Sequence, residues 1–188
     1  SSNIPDLNEY QTHVDIIQNG GESPKKIVLI IGESFSKRHS SLYGYEMNTN
    51  PRLESLWKDS MLVVYDSIYA PASHTLEAFK HIMSTFDNKQ EKEWYECLTL
   101  PYIFAQIDYK TIWISSQSQK GFFDNVATSF SEICDTAIFV GNRFAGMHNN
   151  NLDEEVLPAI DSIKDSNKSL YIIHLMGSHN EFRNRYPD

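Results

Sequence analysis

The sequence predicts an α/β domain built on a mostly parallel sheet with helices on both faces. One observation is the run of five aliphatic residues at 27–31, which follows two lysines and ends in Gly32-Glu33-Ser34. A continuous apolar run of this kind is typical of a strand that is buried on both faces. A second observation is that short apolar runs alternate with helical patterns along the chain, as they do in proteins with parallel sheets.

The expected elements follow that strand in order, after a polar lead-in over residues 1–24 that we interpret as a linker. Asn50 followed by Pro51 predicts a helix start, because proline suits the first helical position. Apolar residues from Leu76 onward recur at spacings of three and four, which places Thr75 at the amino end of another helix. Similar patterns predict further strands at 61–65, 111–114, 137–140 and 170–173, and further helices at 51–58, 98–107 and 152–164.

Composition narrows the classes of function. The 188 residues include 16 Lys plus Arg and 25 Asp plus Glu, a net charge of −9, and there is no basic stripe. This balance argues against a nucleic-acid surface, which needs clustered cations. No apolar run approaches the length of a membrane helix, and no signal peptide opens the sequence. Cys97 and Cys134 have neither zinc nor redox spacing, so they are either paired in an oxidising compartment or buried thiols.

Polar residues follow three of the predicted strands at the points where the strands end. Glu33 comes after the first strand, Lys120 lies in the loop after strand 111–114, and His174 and His179 follow the last strand. The carboxyl ends of parallel strands meet at one edge of an open α/β sheet, where ligands bind. We therefore expect these side chains to converge on one edge.

Glu33 and Thr75 together supply half of a metal-assisted nucleophile site. A hydroxyl at the amino end of a helix lies beside unpaired N–H groups and the positive end of the helix dipole, which favour an alkoxide and a bound phosphate. A metal ion shared with a carboxylate would lower the pKa of that hydroxyl. The alternatives are that Thr75 is only an N-cap and that Glu33 only caps or begins the next helix.

The remaining candidates also have a structural alternative. His174 and His179 are either metal ligands, phosphate donors or acid–base groups, or they serve packing alone. Their spacing of five does not place both on one helical face, so a turn at Gly177 would be needed to bring them together. Lys120 is either a phosphate-binding cation or a solvated loop residue, and Gly121 beside it allows a close approach of the backbone.

Five motifs occur in a fixed order between about Lys26 and Pro187, and together they resemble the phosphoethanolamine transferases. These are bacterial inner-membrane enzymes whose periplasmic catalytic domain has the alkaline phosphatase/sulfatase fold. The motifs are Ile30-Ile31-Gly32-Glu33-Ser34, Leu42-Tyr43-Gly44-Tyr45 with Thr49-Asn50-Pro51, Ala72-Ser73-His74-Thr75, Lys120-Gly121, and His174-Leu175-Met176-Gly177-Ser178-His179 with Arg185-Tyr186-Pro187.

The resemblance implies a zinc-dependent transfer of phosphoethanolamine from phosphatidylethanolamine to lipid A, lipopolysaccharide core or another envelope glycan. By motif, Glu33 would be a zinc ligand, and Thr75 would be both a ligand and the nucleophile that forms a covalent phosphoethanolamine-threonine intermediate. Lys120 and His179 would bind the phosphate or the head group. The family also implies an inner-membrane location, with upstream membrane helices and the catalytic domain in the periplasm.

One departure from the family concerns the metal site. The family completes its zinc site with an Asp-His pair followed by Gly-Glu, and no Asp-His dipeptide occurs in residues 1–188. We therefore expect two further ligands beyond residue 188. Residues 25–188 are interpreted as the amino-terminal part of a periplasmic catalytic domain whose sheet is incomplete at its carboxyl-terminal side. Alone, these residues are expected to bind zinc weakly and to show no turnover.

Three alternatives to this function stay open. A phosphoglycerol transferase would share the threonine nucleophile but fits the motif from His174 to His179 less well. A sulfatase-type hydrolase of the same superfamily would need Cys or Ser followed by Pro and Arg, and Thr75-Leu76-Glu77 offers neither. A non-catalytic envelope binding module would keep the fold and lose the metal, and a stop codon directly after residue 188 would favour it.

Overall fold

The computed structural model describes residues 4–17, 21–119, 125–141, 152–163 and 168–178. Its strands are β1 (Lys26–Ile31), β2 (Lys110–Ser115), β3 (Thr136–Phe139) and β4 (Ser169–His174). Its helices are α1 (Pro51–Lys58), α2 (Thr75–Ile82), α3 (Leu100–Ala105), α4 (Asn125–Glu132) and α5 (Val156–Ser162). The four described strands form one parallel sheet in the order β1-β4-β2-β3, which confirms the predicted fold class.

Apolar side chains pack against both faces of the sheet. On one face, Trp113 of β2 packs in a cluster with Phe79 of α2, and their ring centroids are 6.0 Å apart. On the other face, Ile114 of β2 packs in a cluster with Val156 of α5. Neighbouring strand residues reach opposite faces because successive side chains along a strand point in opposite directions. Helices therefore cover both faces, as predicted.

The first strand differs from its prediction. In β1, Val28 is 53% exposed and Ile30 is 60% exposed, whereas Ile27 and Leu29 pack against the core. The expectation of a strand buried on both faces is therefore wrong for β1. The reason is its position at one end of the described sheet, where β4 is its strand neighbour and the described residues leave its second face open.

A strand predicted at 61–65 is also wrong. Residues 61–65 belong to no strand in the described part of the chain. Met61, Val63 and Tyr65 are exposed, so this apolar run has no buried sheet face to occupy. These residues lie in a compact unit, Ser34–Ala70, which contains α1 and two short 3₁₀ turns.

The second compact unit comprises Ser1–Glu33 and Pro71–Asp188. Part of the expected linker belongs to its core, because Leu7 in a 3₁₀ turn is buried in the apolar cluster around Trp113. The side-chain oxygen of Gln11 accepts a hydrogen bond of 2.9 Å from the backbone N–H of Thr99. Leu7 and Gln11 thus contact the core, while the division into a lead-in over residues 1–24 and a catalytic domain over 25–188 stays a prediction.

The two cysteines carry free thiols and are not paired with each other; Cys97 is buried and Cys134 is partly buried. Burial raises the pKa of Cys97, and it raises the pKa of Cys134 to about 12. Among the described residues, no helix has the length and apolar character needed to cross a membrane.

Candidate active site

The parallel register brings three strand ends to the same level. Ile31 of β1 is aligned with His174 of β4, and His174 is aligned with Ser115 of β2. Glu33 follows β1 by two residues, so Glu33 and His174 lie at the same edge of the sheet, as predicted. Lys120 and His179 lie outside the described residues, and their placement at this edge stays a prediction.

Thr75 is the first residue of α2, and its hydroxyl is turned toward Glu33. The N-cap of α2 is His74, whose backbone is extended. The Thr75 hydroxyl donates a hydrogen bond of 2.9 Å to Oε2 of Glu33, across 42 residues of sequence. The two residues therefore meet, and neither is merely a helix cap. Their roles as nucleophile and metal ligand stay predictions.

Glu33 is almost completely buried, with 8% of its surface exposed. An unpartnered carboxylate in such a place would be costly, because burial disfavours its charge. Its Oε2 accepts from Thr75, and its Oε1 lies 3.2 Å from Nε2 of His174. Because a carboxylate oxygen only accepts, the hydrogen of the imidazole is assigned to Nε2. Nδ1 then faces the hydroxyl of Ser115 at 3.5 Å.

His174 combines packing with this polar contact. It is 1% exposed, and the ring of Phe79 lies against it with 4.8 Å between centroids. Phe79 is one helical turn after Thr75 in α2. The imidazole therefore contacts both the carboxylate and the helix that carries the hydroxyl, which fixes their relative position. Of the alternatives that the sequence left for His174, packing is observed, and a role as metal ligand, phosphate donor or acid–base group stays a prediction.

Several polar residues of the site were missed by sequence reasoning. The side-chain amide nitrogen of Gln117 lies 3.1 Å from Nε2 of His174, so with the hydrogen on Nε2 the amide must turn its oxygen toward the ring to accept it. Asp153, which the sequence marks only as an acid in a first helical turn, accepts a hydrogen bond of 2.7 Å from the hydroxyl of Ser116. Both residues contact partners that are distant in the sequence, and no local sequence pattern reveals such partners.

The donor set is partly suited to zinc. The Glu33 carboxylate and the Thr75 hydroxyl supply two oxygen donors side by side, and carboxylate oxygens are common zinc ligands. Within the described ranges, no group of three or more His, Cys, Asp or Glu side chains could hold an ion. Glu33 and Thr75 thus fit as two oxygen donors of a zinc site, and the rest of the ligand set stays a prediction.

The described residues thus form an α/β domain with a parallel sheet and a hydroxyl–carboxylate pair beside the carboxyl end of β1. The family model described as Sulfatase matches residues 25–188, and the chain belongs to this family.

Several relatives of this chain are named more specifically, as phosphoethanolamine transferases. The chain is 30% identical over 191 residues to phosphoethanolamine transferase CptA of Salmonella typhimurium, covering 98% of this chain and 31% of CptA. It is 33% identical over 174 residues to phosphoethanolamine transferase EptC of Escherichia coli, covering 89% of this chain and 30% of EptC. The chain therefore spans about a third of the length of these relatives, and the predicted family resemblance is confirmed.

A solved structure supports the same relationship. The crystal structure of the C-terminal periplasmic domain of EptC from Escherichia coli, in complex with Zn, matches with a TM-score of 0.79 at 30% identity. The match covers 89% of this chain and 48% of that domain.

Proposed function

We propose that this chain forms part of a phosphoethanolamine transferase in which Thr75 is the nucleophile. The observation that carries the proposal is the 2.9 Å hydrogen bond from the Thr75 hydroxyl to Oε2 of Glu33, at the amino end of α2. Oε2 accepts the hydroxyl hydrogen and so orients the oxygen lone pairs away from itself. The N–H groups at the start of α2 favour negative charge on that oxygen and on a phosphate beside it. The names of the relatives support phosphoethanolamine as the group transferred.

The reaction proceeds in two steps. In the first, Oγ1 of Thr75 forms a bond to the phosphorus of phosphatidylethanolamine, the bond from phosphorus to the diacylglycerol oxygen breaks, and diacylglycerol leaves with a proton. In the second, the oxygen of an acceptor hydroxyl forms a bond to phosphorus, the bond from phosphorus to Oγ1 of Thr75 breaks, and the proton of the acceptor hydroxyl returns to Oγ1. The acceptor that we propose is lipid A, lipopolysaccharide core or another envelope glycan. The protein would act at the bacterial inner membrane with this domain in the periplasm.

Zinc is the proposed cofactor. Glu33 and Thr75 would hold it, with an Asp-His pair beyond residue 188 as the further ligands. When bound, zinc would lower the pKa of the threonine hydroxyl so that it reacts at neutral pH. Through Nε2, His174 holds Oε1 of Glu33 and keeps Oε2 available to Thr75. Lys120 and His179 are proposed to bind the phosphate or the head group.

Substitution of the nucleophile tests the proposal. In the full-length protein that contains residues 1–188, we expect Thr75→Ala to lower diacylglycerol release from phosphatidylethanolamine micelles at least about 10³-fold. Thr75→Ser keeps a hydroxyl and should retain part of the activity and a covalent adduct detectable by intact mass. Ser73→Ala, at an exposed serine two residues earlier, is the matched control. Unchanged release by Thr75→Ala would remove Thr75 from the nucleophile role.

A further inference from the structure

Asp153 begins the 3₁₀ turn that precedes α5, but its carboxylate serves two distant loops. Oδ1 accepts hydrogen bonds from the Ser116 hydroxyl and from the backbone N–H of Met176, both at 2.7 Å. Oδ2 accepts one from the backbone N–H of Gly177 at 2.8 Å. Ser116 follows β2, and Met176 and Gly177 follow β4. One carboxylate thus joins the two loops beside the candidate active site.

The loop after β4 packs against the backbone of Glu33. Ser178 donates its N–H to the carbonyl oxygen of Glu33 at 3.1 Å, and Leu175 donates its N–H to the carbonyl oxygen of Ile31 at 2.9 Å. At Gly177 a Cβ atom would lie 2.8 Å from the carbonyl oxygen and 2.9 Å from the nitrogen of Glu33. This glycine has φ +53°, so both its conformation and its surroundings exclude a larger residue. The loop after β4 therefore packs directly on the backbone of Glu33, with no room for a side chain at position 177.

The two oxygens of Asp153 have unequal roles. The Met176 N–H is also 2.7 Å from the Ser116 hydroxyl oxygen, so it would keep a nearby acceptor if Asp153 were removed. For the Gly177 N–H, Oδ2 is the acceptor that the described residues provide. A charged carboxylate binds such donors more strongly than a neutral oxygen does. The Oδ2 contact is thus the one whose loss should release the turn at Gly177.

We propose that Asp153 is a positioning residue for the Glu33–Thr75 pair. It holds the amides of Met176 and Gly177, and so keeps the loop after β4 packed on the peptide of Glu33. The Glu33 carboxylate then stays directed at the Thr75 hydroxyl. This inference rests on the proposed function, because the consequence for turnover requires Thr75 to be the nucleophile.

Asp153→Asn is the sharpest test, because the amide has one oxygen and can replace only one of the two acceptors. In the full-length protein we expect kcat for diacylglycerol release to fall about 10-fold to 100-fold, by analogy with residues that orient metal ligands. KM for phosphatidylethanolamine should change less than about twofold, since Asp153 is not among the residues proposed to bind the donor lipid. The amides of Gly177 and Ser178 should exchange hydrogen with solvent at least about tenfold faster.

Controls separate positioning from folding. Glu154→Gln changes the neighbouring exposed acid and should leave kcat and exchange unchanged. Ser116→Ala should have a smaller effect than Asp153→Asn, because Met176 and Gly177 keep their bonds to Asp153. Should Asp153→Ala fail to fold, the Asn variant and the exchange rates still decide.

The outcomes also separate this inference from the proposed function. A folded Asp153→Asn variant with wild-type kcat would overturn the positioning role. A fall in kcat that is fully accounted for by a smaller fraction of folded protein would overturn it as well. If Thr75→Ala retains activity in the same assay, the proposed function fails. If Thr75→Ala is inactive while Asp153→Asn behaves like the wild type, only the inference about Asp153 fails.

Discussion

At the level of single residues, Glu33 carries a carboxylate that is 8% exposed and has neighbours on both oxygens. Thr75 and His174 approach it from α2 and from β4, so the side chain is fixed from two directions. A carboxylate ordered in this way loses little further entropy when it binds a cation, since its conformation is already restricted. Its burial and its partners therefore favour a ligand role over a role in local capping.

Replacement of Glu33 by glutamine should separate these roles. Glu33→Gln keeps the shape and removes the charge, so we expect zinc affinity of the full-length protein to fall at least about tenfold. The measurement is a competition titration against a chelating dye. Glu46→Gln, at an exposed acid, is the matched control and should bind zinc as the wild type does. Equal affinity in Glu33→Gln and the control would show that Glu33 is structural only.

At the level of elements, the turn after β4 depends on Gly177. Its positive φ would cost an L-residue about 1–2 kcal/mol. A methyl group there would also meet the Glu33 backbone at 2.8 Å, which nothing flexible relieves. Gly44, at φ +92°, has open space around it, so it shares the conformational requirement without the crowding.

This pair of glycines yields a comparison of stabilities. We expect Gly177→Ala to lower the free energy of unfolding by more than Gly44→Ala, for which about 1–2 kcal/mol is expected from backbone conformation. Urea unfolding of both variants measures the difference. Gly177→Ala should also lower diacylglycerol release, because the Glu33 peptide must shift. Equal stability losses would mean that the close approach to Glu33 carries no cost.

Most elements of the sheet were predictable because their signals are local. The apolar runs located β2, β3 and β4, and Pro51 located the first turn of α1. Helix α4, Asn125–Glu132, was missed because its sequence NVATSFSE has few apolar residues and several β-branched or hydroxyl side chains. The strand predicted at 61–65 failed for a different reason: an apolar run becomes a strand only when a partner pairs with it, and no described strand pairs with this one.

Some residues of the candidate site were predictable from local signals, and others were not. Glu33, Thr75 and His174 were predictable because each stands at the end of a recognisable strand or the start of a helix. Asp153 was not, because its partners lie 23 to 37 residues away and two of them are backbone amides, which carry no residue identity. Positions that act through the backbone of another loop leave no pattern in the sequence.

At the level of the whole molecule, the partly buried thiol of Cys134 links stability to pH. Burial, with a smaller effect from Asp135, raises the pKa of Cys134 to about 12, whereas an unfolded cysteine titrates near 8.5. The folded state thus favours the neutral thiol. Its contribution to stability is complete below the unfolded pKa and is lost as pH rises toward the folded value.

Comparison with a variant isolates this effect. Between pH 9 and 10, the free energy of unfolding of the wild type should fall by about 1 kcal/mol more than that of Cys134→Ala. Urea unfolding at both pH values measures it. Other groups titrate in this range in both proteins, so the difference between the two slopes is the informative quantity. Parallel slopes would show that Cys134 titrates normally in the folded protein.

The order of the strands has a consequence for synthesis of the protein. β1 pairs with β4, with residue 26 opposite residue 169, so β1 is synthesised long before the strand that pairs with it. At about 5–20 residues per second, β1 leaves the ribosome roughly 7–30 s before its neighbour exists. Throughout that interval the aliphatic residues 27–31 lack their β4 partner and have no more than transient contacts to shield them from water.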